Sequence, residues 1–213
     1  MLKPKYDIVV GVDFGTTASA IAYSRSVKGN PCKPTFIYQS TKATVSQKIP
    51  SVLAYIQDNP NLHKNEWGFR ALAQHKLISW FKLFLDDNVG MDIDSWRAEA
   101  MGWACSQGIM SLPTGKTSID TISDYLGALQ VRVSDHLKRE SAMTEKSLET
   151  CTIKFCFTVP GNWSTEARDN MLAAIRRAGF ASRKFDEICL LTEADAVIVF
   201  ALSEYGRSLL KAD

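Results

Sequence analysis

The sequence predicts an α/β fold built on a mixed sheet, and three observations carry that prediction. Two β-rich runs near the N-terminus, residues 7–13 and 17–24, flank a Gly-Thr-Thr turn and read as a hairpin. The last third of the chain alternates strand and helix patterns, the order that builds parallel strands with crossover helices. Between them, from Thr117, apolar residues recur every three or four positions, as on one face of a long helix.

Taken in order, Ile8-Val9-Val10 reads as a buried strand that ends on a carboxylate, Asp13, before the turn. Stretches 35–39 and 50–56 are β-rich and bounded by Pro34 and Pro50. A helical pattern rich in Leu, Trp and Phe runs from about Phe69 to Leu85, while residues 86–116 give no clear pattern. Thr117 with Asp120 forms a capping box ahead of Ile119, Ile122, Leu126, Leu129, Val133 and Leu137. Three heptads without strong flanking charges favour packing on a sheet over a coiled coil. Residues 152–159 then read as a strand, and 164–178 as a helix stopped by Gly179. A strand at 187–191 and a helix from Glu193 to about Tyr205 complete the pattern.

Composition narrows the function. The 213 residues are 46% hydrophobic and 23% charged, enough for a sizeable core. A net charge of +2 argues against nucleic acid or an anionic membrane as the main partner. The start, MLKPKYD, has no apolar signal-like region, and the longest apolar run, Ala196 to Leu202, is far short of the ~20 residues needed to span a bilayer. Five cysteines (Cys32, Cys105, Cys151, Cys156, Cys189) without CxxC spacing read as free thiols in a reducing compartment. A cytoplasmic location is expected, in which the sequon at Asn162-Trp163-Ser164 stays bare.

Two motifs carry candidate chemistry. After Asp13, the N–H groups of Gly15, Thr16, Thr17 and Ala18 could converge on anionic oxygens, with the Thr hydroxyls as further donors. Asp13 would repel a phosphate directly, so its role in such a cradle is to hold water on a shared Mg²⁺. The plain alternative is a polar hairpin turn. Glu193 begins a helix at the carboxyl end of a strand, where α/β sheets bind ligands, and could orient a water. Its plain alternative is a first-turn acid favoured by the helix dipole. Gly115-Lys116-Thr117 is similar to the end of a Walker A loop, but Met110 stands where the first glycine belongs. His63, His75 and His136 lack metal-like spacing, and Arg176-Arg177 with Arg183-Lys184 read as a solvated helix end.

In order along the chain, these fragments resemble one family. Val12-Asp13-Phe14-Gly15-Thr16-Thr17 resembles the first phosphate loop of the heat-shock protein 70 (DnaK-like) ATPase domain, of the actin and sugar-kinase superfamily. Ile49-Pro50-Ser51-Val52 resembles its I-P-S-x-V strand, and Thr158-Val159-Pro160 with Arg168 and Ala173 its strand-to-helix junction. Leu191-Thr192-Glu193-Ala194-Asp195-Ala196 resembles its N-E-P-x-A-A segment. The tryptophans of Trp67-Gly68, Trp80-Phe81-Lys82 and Asn162-Trp163-Ser164 look closer to divergent A12-type and fungal relatives.

The resemblance implies a ribonuclease H-like, actin-like fold with ATP and Mg²⁺ as cofactors. It makes Asp13 the aspartate of the Mg²⁺-bound water and Glu193 the glutamate near the attacking water. Gly15, Thr16, Thr17 and Ala18 become the phosphate loop, and Pro160 and Arg168 the switch positions. It places Leu72 where the family carries a catalytic lysine, with Arg70 and Lys76 as unaligned substitutes. Residues 1–40 and 113–213 are expected to form the core subdomain and 41–112 a peripheral one. With no second D-x-G-T string, the chain is expected to hold one lobe of a two-lobed clamp. Weak Mg·ATP binding and little hydrolysis follow, as does an apolar face to be met by a second lobe, a second copy or a protein partner. The competing class is a non-enzymatic interaction module; a sugar-kinase half would need sugar-binding acids that the sequence does not offer.

Overall fold

The computed structural model describes residues 6–27, 30, 31, 33–40, 45–74, 76–86, 112–140 and 145–209. Cys32, Cys105, His75 and most of the unassigned stretch, residues 87–111, lie outside the described residues. The hairpin forms as the sequence predicts: β1 (Ile8–Asp13) pairs antiparallel with β2 (Ala18–Val27). On its other side β1 pairs in parallel with β3 (Ile153–Val159), which pairs in parallel with β4 (Glu187–Thr192). The sheet is therefore mixed, in the order β4-β3-β1-β2, with Asn30–Pro31, Thr35–Ile37 and Ile49–Pro50 added on β2.

Alternation decides which face is covered. Ile8, Val10 and Val12 of β1 and Ile153, Phe155, Phe157 and Val159 of β3 are buried, while the residues between them are half-exposed or exposed. The buried face meets two helices, α1 (Ser118–Glu140) and, after the short α2 (Glu145–Thr150), α3 (Thr165–Arg177). Helix α1 turns Ile122, Leu126, Leu129, Val133 and Leu137 into this core, which bears out packing on the sheet rather than a coiled coil. Its N-terminus carries the expected capping box: Thr117 N–H donates to Asp120 (2.9 Å) and Asp120 N–H to Thr117 Oγ1 (3.1 Å). Phe180, just past α3, packs edge-on against Phe155 and Phe157 with ring centroids 5.1 and 5.0 Å apart. The final helix, α4 (Glu193–Leu209), follows β4 directly. Among the described residues no helix is long and apolar enough to cross a membrane.

Two readings need correction. Residues 69–85 do not form one helix; short 3₁₀ turns at Gly68–Ala73 and Phe81–Leu85 flank a strand, Ile78–Ser79, paired with Val52–Ala54. Local hydrogen bonding outcompetes the helix here. The buried Asn59 amide donates to the Tyr55 and Lys76 carbonyls and accepts from Lys76 N–H (3.0, 3.0 and 3.1 Å). Trp80 then adopts a left-handed conformation (φ 59°), which no helix accommodates. Nor is the basic cluster simply solvated. Arg177 pairs with Asp120 of α1 at 2.6 Å, and Arg183 forks onto Asp186 (2.6 and 2.8 Å) while donating to the Leu148 and Cys151 carbonyls.

Asn59→Ala tests the first correction, because it strips three backbone groups of their partner. We expect a loss of about 2–3 kcal/mol in urea unfolding, against less than about 0.5 kcal/mol for the exposed Gln57→Ala.

Candidate functional site

Because β1, β3 and β4 run parallel, their carboxyl ends share one edge, and the chain leaves them through Asp13, Pro160 and Glu193. Asp13 faces Thr158 in register and accepts a hydrogen bond from its hydroxyl at 2.8 Å, which fixes one carboxylate oxygen. The other lies 3.8 Å from the exposed Lys48 ammonium. Half of the carboxylate remains open to water.

The turn that follows is held from outside. A Cβ on Gly15 would fall 2.3 Å from the Ala18 carbonyl oxygen, so no larger residue fits this tight loop. Ser51 Oγ donates to the Gly15 carbonyl (2.7 Å) and lies 2.9 Å from Ser19 Oγ, while Ser51 N–H donates to the Thr17 carbonyl (2.9 Å). Pro50 and Ile49 pair with Ala18 and Ser19, so the Ile49-Pro50-Ser51 segment is a brace for the glycine turn. Beyond it, the buried Tyr125 hydroxyl donates to the Pro50 carbonyl (3.2 Å), and burial pushes its acidity to a pKa of about 12. Gly15 and Thr16 are half-exposed, Thr17 is exposed, and Ala18 opens β2.

Glu193 is the first residue of α4. Thr192 Oγ1 caps that helix by accepting from Asp195 N–H at 3.0 Å. The Glu193 carboxylate receives the ammonium of Lys82 at 3.3 Å.

Lys82 is the residue that the sequence reading missed. Its side chain is 4% exposed, with the ammonium 5.6 Å from the Phe14 ring centre and 5.4 Å from that of Trp163. Burial holds its pKa below the usual lysine value, while Glu193 and, more weakly, Asp13 favour the charged form. Leu72, expected at the lysine position, is half exposed on the 3₁₀ turn, and Arg70 is exposed nearby. Lys76 is taken up by Asp58 at 2.7 Å. The available signal was Lys82 itself, a cation between Trp80-Phe81 and Leu83-Phe84 in an apolar run.

Trp163 is held in turn by the junction after β3. Arg168 of α3 donates to the Trp163 and Gly161 carbonyls (both 3.3 Å), and Ser164 caps α3 by accepting from Ala167 N–H (3.1 Å). Pro160 and Arg168, the predicted switch positions, thus bracket the loop that carries the aromatic wall of Lys82.

One edge therefore gathers two carboxylates, one buried ammonium and a glycine turn. Among the described residues no three His, Cys, Asp or Glu side chains form a metal cluster. A Mg²⁺ ion that keeps most of its waters needs one or two carboxylates beside its phosphates, which Asp13 fits.

No protein-family profile matches the chain. Human heat shock 70 kDa protein 12A is 24% identical to it over 208 residues, spanning 91% of this chain and 28% of that protein. The chain thus covers under a third of the length of this relative.

A buried lysine whose acid partner is half in water should not be there for stability. We expect Lys82→Met to leave unfolding stability unchanged or to raise it by up to about 4 kcal/mol in urea titration. A loss of several kcal/mol would show the ammonium to be a structural tie.

Proposed function

We propose that this chain is a nucleotide-binding lobe of a heat-shock-70-like, actin-like ATPase with a ribonuclease H-like sheet, and that its carboxyl edge takes the phosphates of Mg·ATP. The observation that carries the reading is the meeting of Asp13, Lys82 and Glu193 around the braced glycine turn. The similarity to heat shock 70 kDa protein 12A supports it.

On this reading Gly15, Thr16, Thr17 and Ala18 cradle the phosphates, and Asp13, oriented by Thr158, accepts hydrogen bonds from metal-bound water. The Lys82 ammonium stabilises charge developing on the transferred group, worth roughly 10²–10³ in rate for one well-placed donor. Glu193, half-exposed and anchored by Lys82, orients the attacking water. Bound Mg²⁺ supplies charge neutralisation and a template for the phosphates. With Lys82 present, the polar groups for hydrolysis lie on this lobe. Turnover is limited instead by exposure to water, which raises the local dielectric and leaves attack geometry loose.

The subdomain division at 1–40 and 113–213 against 41–112 belongs to the same proposal. In its favour, Val52–Ala54, Glu66–Trp67 and Ile78–Ser79 make a three-stranded sheet of their own.

A second reading has its own observation. Val197, Ile198, Val199, Phe200 and Leu202 of α4 are each between 56% and 66% exposed. So bare an apolar helix favours a module that meets a second lobe, a second copy or a protein partner, with or without nucleotide turnover.

Calorimetric titration of the 213-residue chain with Mg·ATP separates the two. We expect weak binding that Asp13→Asn reduces about 10- to 100-fold, the range for hydrogen bonds to charged groups. Glu193→Gln should bind as before but lower single-turnover hydrolysis. Binding that ignores Asp13→Asn would overturn the nucleotide reading in favour of the interaction module.

A further inference from the structure

The face of the sheet turned away from α1 and α3 carries a row that the nucleotide reading does not use. Cys189, Cys156, Gly11, Ala22 and Phe36 are successive register partners across five neighbouring strands. Directly paired residues of neighbouring strands point to the same face, about 4.8 Å apart. The two cysteines are half-exposed, and as register partners on adjacent strands they point their thiols to the same face; the Cys189 thiol donates weakly to the Leu190 carbonyl (3.7 Å). Beside them, Gly11 and Ala22 have almost no side chain. They leave a groove of about 240 Å³ walled by Phe36, Leu191 and Ala196, with Cys156 on its lining, Cys189 just outside it, and Asp13 and Thr158 bordering it from the candidate site.

We propose that Cys156 and Cys189 form a vicinal dithiol site for a trivalent, thiophilic centre that carries an apolar substituent, the chemistry of an organoarsenic(III) compound. Arsenic binds both sulfurs while the substituent lies along the Gly11 and Ala22 floor against Phe36. With an arsine oxide the reaction is a condensation. Two arsenic–sulfur bonds form, the arsenic–oxygen bond breaks, and the two thiol protons leave with that oxygen as one water. No oxidation state changes, so no further reactant is needed.

The surroundings favour such a two-point ligand over a one-point electrophile. Burial pushes the Cys156 thiol up to about 11, so at neutral pH it is protonated and a poor target for simple alkylation. A ligand that engages both sulfurs gains from the second contact being intramolecular.

The experiment treats the reduced 213-residue chain with equimolar phenylarsine oxide, followed by intact mass and peptide mapping. One phenylarsenic per chain should bridge the peptides of Cys156 and Cys189 and be released by a small competing dithiol. Cys156→Ser and Cys189→Ser should each weaken binding by about 10²–10⁴, the usual gain from linked contacts. Cys151→Ser should not. Gly11→Val keeps both thiols but fills the groove, so it should weaken phenylarsine oxide and spare arsenite. An adduct that survives either serine variant, or that maps to Cys32, Cys105 or Cys151, overturns the proposal. So does a Gly11→Val chain that binds both arsenicals as before.

Discussion

Parallel pairing of β1, β3 and β4 is the constraint on which the candidate site rests. Six register pairs join β1 to β3 and six join β3 to β4, so the ends of the three strands cannot drift relative to one another. The Asp13–Thr158 hydrogen bond exists because those two residues are partners in that register. A slip of one residue would also turn Phe155 and Phe157 to the open face and Lys154 and Cys156 into the core. The same burial that fixes the fold therefore fixes the position of the carboxylates. Core packing and site geometry are one requirement here.

Lys82 shows the opposite relation. Moving an ammonium out of water costs several kcal/mol after relaxation, and one carboxylate that is half solvated returns only part of it. The aromatic faces of Phe14 and Trp163 offset more, since a desolvated cation gains about 2 kcal/mol over such a ring. Phe14 follows Asp13 in the turn, and Trp163 stands in the junction held by Arg168. Each element of the edge thus contributes one contact to a cation whose desolvation cost an apolar side chain of similar size would avoid.

Much of this was legible in the sequence, for reasons that residue patterns explain. The hairpin, α1, α3 and the strand–helix alternation follow from short-range periodicity and from caps such as Thr117-Asp120 and Ser164. Asp13 and Glu193 stood out because each is a carboxylate where an apolar strand ends. The stretch from Phe69 to Leu85 misled because its apolar content is helix-like, while its conformation is set by Asn59, 17 residues before its partner Lys76. Lys82 was hidden by sequence distance, since its partner Glu193 is 111 residues away. Cys156 and Cys189 have no spacing that marks a pair; only the β3–β4 register unites them. Interactions local in sequence could be read, and those created by tertiary register could not.

Helix α4 links these themes. Its first residue is Glu193, tied to Lys82 and capped through Thr192, and it contacts β4 and β3. Further along, Val197 to Phe200 stand in solvent without a covering layer among the described residues. The bare apolar side and the Lys82–Glu193 pair therefore belong to one helix, so any body that covered that side would lie on the element that opens with the Glu193 carboxylate.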